Sequence, residues 1–132
     1  MLDHSGITVT DLARSRAFYT AALAPLGYVV RLEYPPDAVG FGVVAGFGKT
    51  TDPGGDFWID VRPPMVPRPH FAFTAETPAI VDAFHAAALA AGGTDNGAPG
   101  PRAYHPGYYA AFVLDPDGYN IEAVCHSGPL SE

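Results

Sequence analysis

Apolar and polar residues alternate twice along this chain in the same way. In Ile7-Thr8-Val9 and again in Phe71-Ala72-Phe73, large apolar side chains take every second place. That spacing predicts a half-buried strand. The period then lengthens. Phe18, Ala22 and Leu26 form one apolar stripe, and Ile80, Phe84, Ala87 and Ala91 form another, so helices are expected over 11–26 and 77–92. Asp11 and Thr77 are suited to cap them, and Pro78 suits a first helical position. Gly27 and Gly92-Gly93 are suited to end them, while Pro25 argues that the first helix stops early. Further strands are expected near 28–34, 39–45 and 56–61, and near 94–98, 108–114 and 119–126. Asp115-Pro116-Asp117-Gly118 reads as a tight turn.

The two halves are copies of one unit. Residues 4–27 laid over 70–93 agree at ten of 24 positions without a gap. Alanine supplies half of the agreement, but the pattern holds without it: His4 on His70, Thr8 on Thr74, Phe18 on Phe84, Leu23 on Leu89. The expected organisation is a β-α-β-β-β module over 1–62, a proline-rich linker over 63–69, and a second module over 70–132.

Composition narrows the function. Apolar residues make up 48% and the net charge is -7, so a core can form, while phosphate backbones and anionic lipid are repelled. Neither nucleic acid nor membrane is an expected partner. The single cysteine, Cys125, rules out an intrachain disulfide and a thiolate zinc cage. No stretch approaches the roughly 18 apolar residues of a spanning helix, and the N-terminus lacks the pattern of a secretory signal. A cytoplasmic location is the expectation. Gly48-Lys49-Thr50 ends like a phosphate loop, but Val43 stands where the first glycine is needed, so the stretch reads as strand and turn. There is no G-x-S-x-G elbow.

His4 with the "DLARSRAFY" that follows, "HFAF" at His70, and "FVLDPDGYNIEAV" with its Glu122 resemble the glyoxalase/bleomycin-resistance/extradiol-dioxygenase (vicinal oxygen chelate) superfamily. The resemblance spans nearly the whole chain, and DPDG-x-x-I-E is its most specific part. It implies an α+β fold of two tandem β-α-β-β-β modules. Their mixed sheets curl into half-barrels, with helices on the convex side and ligand and metal on the concave side.

Within that fold, strand parity turns Ile7, Val9, Phe71, Phe73, Ile121, Ala123 and Cys125 toward the helices. His4, His70 and Glu122 then share the concave face with Asn120, Val124 and His126. Two imidazoles and a carboxylate suit a divalent first-row ion with open coordination positions; Zn, Ni, Mn and Fe all qualify. Glyoxalase-type relatives add a fourth protein ligand from the last strand of the first module. Parity offers Asp56, Trp58 or Asp60 there. Asp56 lies opposite Glu122 if the repeat offset holds, and Asp60 or Trp58 does if the turns differ in length; a Trp cannot ligate. His126 and His85 are assigned no role in the chemistry.

Ala103–Tyr109 places three tyrosines and His105 around a Pro-Gly turn. Tyr104, Tyr108, Tyr109, Arg102 and Trp58 are candidate substrate contacts, with Phe41 and Phe47 as further apolar walls. Arg102 suits an acidic substrate group, while His105 and Glu122 are candidate proton carriers. The resemblance implies a metal-dependent lyase or isomerase acting on a small oxygenated substrate. Its alternatives are an Fe(II) dioxygenase and a metal-free protein that binds a small molecule or drug. It also implies a homodimer.

Overall fold

The computed structural model describes residues 1–35 and 44–130. Each half folds as strand, helix and three strands. The first module contains β1 (Ser5–Val9), α1 (Leu12–Leu23), β2 (Tyr28–Tyr34), β3 (Val44–Lys49) and β4 (Phe57–Val61). The second contains β5 (Phe71–Thr74), α2 (Pro78–Ala90), β6 (Thr94–Pro101), β7 (Tyr109–Leu114) and β8 (Asn120–Cys125). Two four-stranded sheets result, ordered β1-β4-β3-β2 and β5-β8-β7-β6. In each, the outer first strand runs parallel to the last one and the remaining pairs are antiparallel. The fold is the α+β arrangement of two modules.

Local chemistry sets the helix ends. Asp11 accepts from the Arg14 amide and Thr77 from the Ile80 amide, each satisfying an N–H that no preceding turn can reach. Pro25 stops α1 at Leu23, and a single 3-10 turn over Ala24–Leu26 completes the expected span. Gly27 and Gly92, at φ 81 and 100, turn the chain through the left-handed region that a side chain would disfavour. The third strand is described from Val44 to Lys49, and residues 39–43 of its expected span lie outside the described residues.

One core joins both modules. Ile7, Val9, Phe57 and Ile59 from one sheet and Phe73, Val113, Ile121 and Ala123 from the other face the helices. Phe18, Ala22 and Leu26 are buried as the stripe required. On α2 the buried line is Val81, Phe84 and Ala88, with Ile80 and Ala91 flanking it, one residue round from the expected stripe. Phe47, expected on the cavity wall, is fully buried against Tyr19 on the helix side. It pairs with Phe57 across β3 and β4, and paired residues point to the same face.

The turn at Asp115–Gly118 fastens the modules together. Asp117 accepts from the amide and hydroxyl of Thr10, at 3.1 and 2.6 Å. Asp115 accepts from the buried Tyr19 hydroxyl at 2.5 Å. The Tyr119 hydroxyl donates to the Thr8 carbonyl and accepts from the Met65 amide. No helix among the described residues is long and apolar enough to cross a membrane.

Candidate functional site

Each sheet keeps one face away from the helices, and the chemistry-bearing residues divide between these two faces. On the second module, β5 and β8 hold His70 and Glu122 together. The His70 Nδ1 lies 2.7 Å from the Asn120 carbonyl, and its Nε2 lies 2.8 Å from Glu122 Oε2. A carbonyl oxygen can only accept, so Nδ1 carries a proton, and Nε2 is left facing the carboxylate. The other Glu122 oxygen accepts from the Tyr108 hydroxyl. Glu122 is 3% exposed. Burial, then the bond to Glu122, pushes the Tyr108 phenol up to about 12, so this donor keeps its proton at neutral pH. Phe112 stacks against His70.

Around this pair the expected residues separate. His105 Nε2 meets His126 Nδ1 at 3.0 Å, and both imidazoles pack on the Tyr108 ring. His126, given no role in the sequence reading, is therefore part of the Tyr108 surroundings; its parity with Glu122 was the available signal. Tyr104 is exposed and touches the edge of Tyr108. Arg102 lies over the Phe112 ring and donates to the carbonyls of Ala98, Gly100 and Pro101, which occupies the fork expected to hold an acid. Tyr109 turns the other way. It pairs with the core residue Cys125, and its hydroxyl donates to Asp82 on α2 at 2.7 Å. Strand parity thus removes Tyr109 from the substrate face. His85 bonds Asp95, away from this site.

On the first module, His4, Trp58 and Asp60 line a groove of about 960 Å³. His4 bonds Asp3 at 2.7 Å. Asp56 is not on this wall; its carboxylate accepts from Tyr28 at 2.5 Å, and it is raised above the ordinary Asp value by its bond to Asp52 and by burial. Phe41 lies outside the described residues. Among the described residues, no group of three or more His, Cys, Asp or Glu side chains is gathered as a metal ion requires. One chain therefore does not by itself unite His4 with His70 and Glu122.

Strand register identifies the counterpart of Glu122. Gly6 pairs with Trp58. Ala72, which is 66 residues beyond Gly6, pairs with Glu122, which is only 64 beyond Trp58. The position opposite Glu122 in the repeat is thus Trp58, not Asp56. Bulk is exchanged with it. Phe112 neighbours Glu122 on β7, whereas Gly46 neighbours Trp58 on β3.

Comparison with known proteins agrees with this architecture. A glyoxalase/bleomycin resistance protein from Albidiferax ferrireducens T118 is 30% identical, with a TM-score of 0.74 over 93% of this chain and 96% of that one. A putative glyoxalase from Bacillus halodurans is 25% identical, with a TM-score of 0.62 over 95% of each chain. Glyoxalase I from Zea mays, 22% identical, has a TM-score of 0.69 over 93% of this chain but only 43% of its own length, and at that identity shows a shared fold alone. No curated protein matches closely enough to lend a specific activity. The family profile covers residues 1–123, and the chain belongs to the Glyoxalase/Bleomycin resistance protein/Dioxygenase superfamily.

Proposed function

We propose that the protein is a metal-dependent enzyme of the glyoxalase type, a lyase or isomerase acting on a small oxygenated substrate, with its site completed between two copies of the chain. The observation that carries this reading is the meeting of His70 and Glu122. With a proton held on Nδ1 by the Asn120 carbonyl, His70 directs Nε2 at a carboxylate oxygen 2.8 Å away. A proton on Nε2 makes this an imidazolium–carboxylate pair, and a cation in that proton's place makes both groups its ligands. A metal-ligating histidine commonly donates its other N–H to a carbonyl or carboxylate, and His70 has that partner.

His70 and Glu122 of one copy and His4 of a second would hold the ion. When bound, the ion supplies Lewis-acid polarisation of adjacent substrate oxygens. Tyr108 orients Glu122 through its hydroxyl, and Glu122 is the group placed to take a substrate proton. His105 and His126 flank Tyr108 and extend the polar wall. Asp56 is engaged by Tyr28 and Asp60 by Arg62, and Trp58 stands opposite Glu122 in the repeat. Three protein ligands and open positions are therefore the proposed set.

The test is metal uptake followed by equilibrium dialysis. Wild-type protein should bind a divalent ion stoichiometrically, and His70→Ala should lose most of that affinity with unchanged circular dichroism. His4→Ala and His70→Ala proteins, unfolded together and refolded as mixed dimers, should regain part of the binding, because one of the two shared sites then keeps both imidazoles. Unchanged metal content in His70→Ala would overturn the reading. Turnover surviving strict anaerobiosis separates a lyase or isomerase from a dioxygenase.

A second reading, metal-free binding of a small molecule, draws on the replacement of the fourth ligand by Trp58. It requires ligand affinity that is indifferent to chelators and to His70→Ala.

A further inference from the structure

The residues around Tyr108 leave its hydroxyl little choice of position. Its ring meets those of Tyr104, His105 and His126 edge to face, with centroids 5.0, 5.1 and 5.6 Å away. His105 and His126 hold one another at 3.0 Å, so the two imidazoles form one wall. The backbone is tied as well. The Tyr108 carbonyl accepts from the Arg102 amide at 2.9 Å, and its amide donates to the His105 carbonyl at 3.2 Å. Before it, Gly107 sits at φ 82, and a Cβ there would come within 2.6 Å of the His126 carbonyl oxygen. The Gly128 amide donates to the Gly107 carbonyl at 2.8 Å. The segment after β8 thus packs directly on the turn that carries Tyr108.

This framework delivers the hydroxyl to one oxygen of Glu122. The carboxylate is therefore held at both ends by partners from different parts of the fold. Oε2 faces His70, just before β5, and Oε1 takes the hydroxyl from the turn before β7. A carboxylate can bind a metal ion through one oxygen or through both. To bring both onto an ion beside His70 Nε2, Glu122 must turn Oε1 away from Tyr108. That leaves a half-buried phenol donor without its acceptor, which is costly.

We infer that Tyr108 is a positioning residue that restricts Glu122 to one oxygen toward an ion held with His70, and so sets which ion the site prefers. The inference rests on the proposed function in taking His70 and Glu122 as ligands, and goes beyond it in giving the choice of ion to a residue that does not touch the ion. Zinc is satisfied by four ligands and loses little when a carboxylate offers one oxygen. Manganese takes six and is suited by carboxylate oxygen, so it gains from a second one. A hydroxyl that merely braced its loop would, once removed, weaken every ion by the same factor. One that restricts Glu122 changes the ratio between ions.

The test is equilibrium dialysis of the full chain against zinc and, separately, manganese. Tyr108→Phe keeps the ring and its packing and removes only the hydroxyl; circular dichroism checks that the variant is folded. Zinc should bind about ten-fold more weakly than to the wild type, while manganese should bind as well or better, so the zinc-to-manganese ratio of affinities falls. Gly107→Ala, which displaces the same hydroxyl by crowding the His126 carbonyl, should move the ratio in the same direction. A ratio that is unchanged or higher in both variants overturns the inference and leaves the metalloenzyme reading standing, whether or not the affinities themselves fall. Wild-type protein that takes up neither ion overturns both.

Discussion

Asp115 shows how one buried group can tie stability to pH. Burial raises its carboxyl above the ordinary Asp value, while the bonds it accepts from Tyr19 and from the amides of Tyr119 and Asp117 oppose that rise. A carboxyl raised on folding contributes stability that is fully present below its unfolded value, about 3.9, and lost as pH rises through the folded value. Tyr19→Phe removes one bond to the charged form and lifts the folded value further. That variant should be destabilised by about 2 kcal/mol at neutral pH, and the difference from wild type should shrink as pH falls toward about 4. Denaturant melts at both pH values measure this; a difference independent of pH would remove the carboxylate from the account. At this scale the sequence was informative where parity governed the outcome. His4, His70 and Glu122 were expected on open faces, and the structure puts His4 on the groove and His70 with Glu122 across β5 and β8. The Tyr19–Asp115 bond, joining residues 96 apart in the chain, left no local pattern to read.

The elements repeat faithfully wherever short-range chemistry determines them. Asp11 and Thr77 hold equivalent positions and make the same amide bond, at 3.1 and 3.3 Å. Asp11→Ala and Thr77→Ala should therefore each cost about 1 kcal/mol, read as lowered thermal midpoints; a loss in one alone would show that the two helices are not equivalent in stability. Helices, caps and the Asp115–Gly118 turn were legible for the same reason. The last strands were legible as strands, but their alignment between the two copies was not. Their alignment depends on the lengths of the intervening turns, so the constant offset that named Asp56 as the counterpart of Glu122 failed by two residues, and Trp58 took the place. A slip of two preserves which face a side chain takes, so Trp58 and Asp60 stayed on the open face. A slip of one would have reversed both. Tyr109 shows that sensitivity: adjacent to Tyr108 in a cluster that looked like a single site, it faces α2.

At the scale of the molecule, two modules were legible from the repeat, but their mode of union was not. The contacts that close the fold run from Thr8, Thr10 and Tyr19 of the first module to Asp115, Asp117 and Tyr119 of the second. They use the segment that resembles the superfamily most closely. What the repeat leaves unequal is the outer margin of each sheet. β6 reads Thr-Asp-Asn-Gly-Ala-Pro-Gly-Pro and breaks register twice against β7. Its prolines offer no amide hydrogen, so a further strand cannot zip along it. β2, the margin of the other sheet among the described residues, reads Tyr-Val-Val-Arg-Leu-Glu-Tyr, which is aromatic, β-branched and free of proline. Fibril growth from a partly opened chain would thus start at the first sheet, with Arg31 and Glu33 as its only charged guards. A peptide of residues 28–34 should raise thioflavin fluorescence on standing, and one of residues 94–101 should not. If both stay dark, the vulnerability assigned to β2 is absent.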